Sequence, residues 1–191
     1  TMFSISLYNL GIGKFEQAQM DMERAVESVT FLNNRPRMAE VFTVMAQVHQ
    51  RLGQFDKSMG FFERTYQTGQ REENPQHQAW GLNGKAGILL YQGQNNHASA
   101  VIDLIKKSMP LLAGSTDHTE DIRAYGMLGI AYLRNSEPAL AREYADKGLH
   151  YISTTSPTAH DAMEGYAGVA ETFIALLEAN PQDKELAKLA N

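Results

Sequence analysis

Between Met38 and Leu52 the apolar residues Val41, Met45, Val48 and Leu52 recur three or four positions apart. That spacing places them on one stripe of an α-helix. Comparable patterns run through 78–92 and 121–135, and each gives way to turn-forming residues. After the first stripe comes Gly53-Gln54-Phe55-Asp56-Lys57-Ser58, with Phe62 and Thr65 at helical spacing beyond it. The arrangement stands 40 residues earlier as Gly13-Lys14-Phe15-Glu16-Gln17-Ala18, then Met22 and Ala25. It stands 40 residues later, degraded, as Gly93-Gln94-Asn95-Asn96-His97-Ala98, then Ile102 and Ile105. A looser fourth copy is Ser136-Glu137-Pro138 with Ala141, Ala145 and Gly148. The unit is therefore helix, tight turn, helix, and it repeats about every 40 residues.

Capping residues set the boundaries. Asn74-Pro75, Ser156-Pro157 and Asn180-Pro181 each read as an N-cap followed by proline in the first helical position. Asp117 with Glu120 reads as a capping box. Asn33-Asn34-Arg35-Pro36 opens a further helix, and Ala113-Gly114-Ser115-Thr116 marks a loop. The pattern predicts ten helices at 2–11, 14–31, 36–51, 54–69, 75–92, 95–112, 118–134, 137–152, 158–178 and 182–190. No strand is needed, and no linker interrupts the series. The expectation is an all-α, right-handed solenoid of antiparallel helical pairs, forming one domain over residues 1–191. Helical pattern follows Thr1 at once with no cap, which reads as a piece of a longer chain.

Composition supports helix, because Ala and Leu total 40 residues against 16 for Val and Ile. The 15 glycines go against it, since an interior glycine costs a helix about 1 kcal/mol relative to alanine. Their positions answer the objection. Gly13, Gly53 and Gly93 fall in the turns, and six others form the pairs Gly84/Gly87, Gly126/Gly129 and Gly165/Gly168. Residues three apart share a helix face, so each pair lets a neighbouring helix come close. The alternative is that the bare backbone opens a ligand pocket between the first helices of the repeats.

These features resemble the tetratricopeptide repeat (TPR) family. The matching residues are Phe42, Met45, Ala46, Gly53, Phe55, Ser58, Phe62 and Thr65 in the second unit. In the fourth they are Tyr125, Leu128, Gly129, Tyr132, Ala141, Ala145 and Gly148. The likeness covers residues 2–152, with a fifth first-helix at 158–178. The period is longer than usual for the family, and Asn95 stands where the third turn would carry an aromatic residue. The stretch Gln76-His77-Gln78-Ala79-Trp80-Gly81-Leu82 looks like the degenerate C-terminal repeats of bacterial multidomain cyclase and ATPase signalling proteins. That resemblance implies a protein-interaction module of a larger signalling protein, and with no signal peptide opening the sequence the cytoplasm is the expected compartment.

Chemistry is sparse. With no cysteine there is no thiolate nucleophile, disulfide or Cys-based zinc site. No histidine pair has the spacing of a metalloprotease motif, and no nucleophile elbow or Walker motif occurs. His118 with Asp117, Glu120 and Asp121 is the densest polar cluster, and reads as a solvated helix start rather than a metal site. A net charge of −5 argues against nucleic acid and anionic membrane. Neither catalysis nor a cofactor or metal is expected. Met20, Met45 and Met127 read as core filler.

What remains is the groove lined by the first helices. The candidate partner-binding residues are Glu40, Thr43, Gln47, Trp80, Asn83, Tyr91, Arg123, Met127 and Arg134. Trp80, Tyr91 and Arg123 carry the side-chain chemistry that dominates interface hot spots. Within the family, one subclass captures acidic chaperone C-termini through Lys and Asn. Here Ser4, Leu7, Val44 and Trp80 occupy the comparable positions. The expected partner is a protein or peptide, or another domain of the same chain, with homodimerisation through end helices as a further option.

Overall fold

The computed structural model describes residues 2–93, 95–114, 118–155 and 162–189. Among them are ten α-helices and no strand. They are α1 (Met2–Gly11), α2 (Phe15–Phe31), α3 (Arg35–Arg51), α4 (Phe55–Arg71), α5 (Pro75–Tyr91), α6 (Ala98–Ser108), α7 (Thr119–Arg134), α8 (Pro138–Thr154), α9 (Ala162–Ala179) and α10 (Lys184–Leu189). The predicted helix over 95–112 is broken into a 3₁₀ turn at Asn95–His97, α6, and a second 3₁₀ turn at Met109–Leu112. Pro110 accounts for the second break, because it lacks the N–H that the α-helical ladder needs there.

One turn is used repeatedly. Gly13, Asn33, Gly53, Glu73 and Gly93 all have positive φ, at intervals of 20 residues, and Ser136 takes the same role in the fourth unit. At Gly13 the N–H bonds Leu10 O and the next N–H reaches back to Asn9 O. The same pair of bonds recurs after Asn33, Gly53, Glu73 and Ser136. This is the Schellman closure, which satisfies two of the carbonyls orphaned at a helix end. The residue that follows starts the next helix. Asn34 and Asn74 do so with their side chains, accepting from the N–H groups of Arg37 and His77. At the last turn the cap is Asp183 rather than Asn180, since Asp183 Oδ1 accepts from Glu185 and Leu186. The caps read at Asp117 and at Ser156-Pro157 lie outside the described residues.

The chain divides into two compact units, Thr1–Ile88 and Leu89–Asn191, with the boundary inside α5. In the first, Leu10, Ala18, Met22, Val41, Met45 and Val48 form a core between α1, α2 and α3. The α1/α2 and α3/α4 pairs cross at small residues. Ser6 Oγ donates to Ala18 O (3.0 Å), and Ser58 Oγ donates to Ala46 O (2.7 Å). Ser6 corresponds to Ala46 and Ala18 to Ser58, so the same bond is made twice with donor and acceptor exchanged between helices. Phe62 of α4 is fully buried, and its ring lies where a Cβ on Gly84 of α5 would be.

In the second unit α7 packs on α8 through stacked tyrosines. Tyr144 of α8 lies against Tyr132 (5.2 Å between centroids) and Tyr125 (6.2 Å), and Tyr151 stacks on Tyr125 (5.6 Å). On its other side α7 meets α9 backbone to backbone. A Cβ on Gly168 would lie 2.6 Å from Gly126 O, and one on Gly126 or Gly165 would overlap the opposing main chain. Gly129 sits under Thr172. The recurring glycine pairs of α7 and α9 thus face each other and set the crossing. Met20 departs from the core reading at half exposure, whereas Met45 and Met127 are buried.

Candidate functional site

The first-helix residues divide into those that face inward and those that reach the surface. Asn83 is fully buried, and Thr43, Gln47 and Met127 are buried as well. Thr43 Oγ1 donates to Ala39 O and lies 3.3 Å from Thr65 Oγ1 of α4, which ties α3 to its partner helix. As the helices stand, these four offer little to an incoming chain. At helical spacing these side chains, three polar and one methionine, look like a groove lining in sequence, but the fold buries them. Glu40, Trp80, Tyr91 and Arg134 do reach solvent.

In the first unit Glu40 ion-pairs with Arg37 one turn earlier. Trp80 of α5 packs against the His77 ring at 5.1 Å. His77 is buried, with Nδ1 3.7 Å from a Glu72 carboxylate oxygen. Burial pushes its imidazole below the usual value, and the Glu72 and Glu40 charges oppose that shift without reversing it. His49 of α3 is held low for the same principal reason and hydrogen-bonds Gln54 at 2.9 Å. It stacks on Phe61, and the Arg64 guanidinium covers Phe42 at 3.9 Å. The sequence reading assigned no role to His77 or Glu72. The clue was available, since the Asn74-Pro75 turn that opens α5 has Glu72 just before it and His77, one helical turn from Trp80, just after it.

In the second unit Arg123 is the centre. It is 2% exposed, its Nε donates to Glu164 of α9 at 2.9 Å, and Nη1 lies 3.6 Å from Glu120. Tyr91 donates its hydroxyl to the other Glu164 oxygen at 3.2 Å. Tyr91 and Arg123, read separately as hot-spot residues, are thus joined through Glu164, a residue the sequence pattern gave no reason to choose. Arg134 donates to Leu90 O at 2.9 Å. The polar cluster at the start of α7 is split. His118 hydrogen-bonds Asp121 at 2.9 Å, while Glu120 turns to Arg123; Asp117 is outside the described residues. Among the described residues no group of His, Cys, Asp and Glu has the arrangement of a metal site.

At five of the six paired glycines the space left by the missing side chain is occupied. Phe62 fills it at Gly84, Thr172 at Gly129, and opposing backbone at Gly126, Gly165 and Gly168. The first unit also has a cleft of about 510 Å³ between Phe3 of α1, Val29 of α2 and Val41 of α3. No described helix is long and apolar enough to cross a membrane.

No family model matches the sequence, and no curated protein does. Solved structures do match, across almost the whole chain. The TPR-like repeats of a kinesin light chain from Podosopora anserina superpose with a TM-score of 0.67 at 16% identity, covering 98% of this chain and 89% of that one. The fold is that of the TPR-like repeats. A Q17M variant of those repeats gives a TM-score of 0.69 at 15% identity, with the same coverage. A thermophilic TPR protein of Thermus thermophilus gives 0.61 at 13% identity, covering 99% of this chain and 95% of that one. Likeness at this identity establishes the architecture and leaves the site to its own chemistry.

Proposed function

We propose that this chain is a protein-interaction module that binds a peptide or a neighbouring domain along its first helices. The observation that carries the reading is that the part of the TPR-like first helix α5 in each unit holds a solvent-reaching aromatic, Trp80 against the His77 ring in the first and Tyr91 hydrogen-bonded to Glu164 in the second. Aromatic side chains fixed in this way lose little entropy on binding and supply large contact area. Arg134 belongs to the second unit with Tyr91, and Glu40 stands on the first. The setting in a larger cytoplasmic signalling protein rests on the resemblance of 76–82 to the repeats of bacterial cyclase and ATPase proteins. No residue is assigned a catalytic role.

The test is to immobilise the chain, identify what it retains from an extract of its source, and titrate the captured protein. Trp80→Ala or Tyr91→Ala should weaken that affinity about tenfold or more while the helical circular dichroism is kept. Unchanged affinity in both variants would remove the first helices as the binding surface. A metabolite that raises the melting temperature, with no protein captured, would favour the sensor reading instead.

A further inference from the structure

The glycine pairs put α9 in register with α7, residue 165 answering to 126. In that register Glu164, Ala167 and Glu171 answer to Tyr125, Leu128 and Tyr132. In α7 those three residues face a second helix. Tyr125 and Tyr132 stack on Tyr144 of α8, and Leu128 is fully buried. In α9 Ala167 and Glu171 are exposed. The helix that follows, α10, packs elsewhere, with Leu186 joining the core that contains Phe173 and Val169. So, among the described residues, no helix covers the face of α9 that the repeat plan assigns to one.

That face has a defined chemistry. Met163, Ala167, Ala170 and Ile174 are all exposed, and their spacing of four, three and four gives one apolar strip about 16 Å long. Met163 is 62% and Ile174 50% exposed. Along one edge run Glu164, Glu171 and Glu178 at seven-residue intervals, so they hold one line within about 20° per step. Glu164 is taken by Arg123, whereas Glu171 and Glu178 are exposed and meet no cation among the described residues. The surroundings reinforce the sign. Residues 1–88 carry nine basic and nine acidic side chains, while 89–191 carry eight and thirteen, so the whole net charge of −5 belongs to the second unit.

We infer that the outer face of α9 docks an amphipathic helix of a partner protein whose apolar row is flanked by Lys or Arg. The two central alanines allow close approach of a helix, Met163 and Ile174 supply the apolar anchors, and Glu171 and Glu178 select the flanking charge. A second copy of this chain is the poorer occupant, because an antiparallel α9–α9 pair would set one glutamate line against the other.

The probe is a pair of synthetic helical peptides of about 18 residues, with one leucine row flanked by lysine in the first and by glutamate in the second. Binding to the 191-residue chain is read by fluorescence anisotropy at low and high salt. The lysine peptide should bind at least about tenfold more tightly than the glutamate peptide, and more weakly as salt rises. Glu171→Lys with Glu178→Lys should reverse the preference. Ile174→Asp should abolish binding, while Trp80→Ala should leave it unchanged, which separates failure here from failure of the proposed function carried by Trp80 and Tyr91. Equal binding of the two peptides, indifference to Ile174→Asp, or concentration-dependent self-association lost in Ile174→Asp would each overturn the inference.

Discussion

Ser136 holds a left-handed backbone (φ 60°) at a turn where three equivalent turns use glycine. A side chain in that region costs about 1–2 kcal/mol. Ser136→Gly should therefore stabilise the protein by about 1 kcal/mol, less the entropy that glycine adds to the unfolded chain, and Gly53→Ala should destabilise it by a similar amount. Urea midpoints check both. His49 and His77 give a second prediction at this scale. Burial lowers both imidazoles, so the folded state binds fewer protons than the unfolded one around and below pH 6.5. Their contribution is complete above that pH and is lost as pH falls. The urea midpoint should drop between about pH 7 and pH 5, and the double substitution His49→Gln, His77→Gln should flatten the drop. A midpoint insensitive to pH over that range would refute the assignment. Arg123 belongs here as well. Removing it leaves Glu120 and Glu164 facing each other with little solvent, so Arg123→Met should cost about 3 kcal/mol or more in chemical denaturation. That shifts the expectation for Arg123 from partner binding towards stability.

At the scale of elements, two glycine-to-alanine changes separate propensity from packing. Gly60 lies exposed in α4 with nothing near its missing Cβ, so Gly60→Ala should gain about 1 kcal/mol of helix propensity. Gly126 gains the same propensity, but its Cβ would overlap the α9 backbone. Gly126→Ala should be net destabilising by about 1–3 kcal/mol, as measured by thermal melting. This contrast also shows how far the elements were legible. Periods and caps placed most helix boundaries within two residues, because Schellman turns and Asn caps are local chemistry. Pro110 split the sixth helix because a single missing N–H outweighed a continuous apolar stripe. Asn180 yielded its cap to Asp183 because capping depends on which side chain reaches the free N–H groups, and both candidates lie in the same turn. That the glycines of α7 and α9 meet one another, rather than a neighbour's side chains, is tertiary information that spacing does not contain.

At the scale of the molecule, the sequence disclosed the architecture better than the site. Repetition is visible in a linear string, and the fold follows from it. A binding surface depends on which polar residues the packing consumes. Asn83 and Thr43 were consumed, Trp80 and Tyr91 were not, and Glu164 entered through an arginine 41 positions away in the chain. The uneven distribution of charge between 1–88 and 89–191 was equally available from the start, but acquired meaning only when α9 proved to have a face that no described helix covers.

The 20-residue cadence of left-handed turns has a further consequence, for the order in which the chain folds. Six of the nine helix-to-helix connections close over three or four residues, so most contacts of those hairpins are available almost as soon as a turn forms, and such chains fold rapidly. The crossing of α7 and α9 is different, since it joins backbones some forty residues apart and becomes possible only once α8 has turned back. It is the late event. Gly126→Ala should accordingly accelerate unfolding while leaving the refolding rate nearly unchanged in stopped-flow measurements.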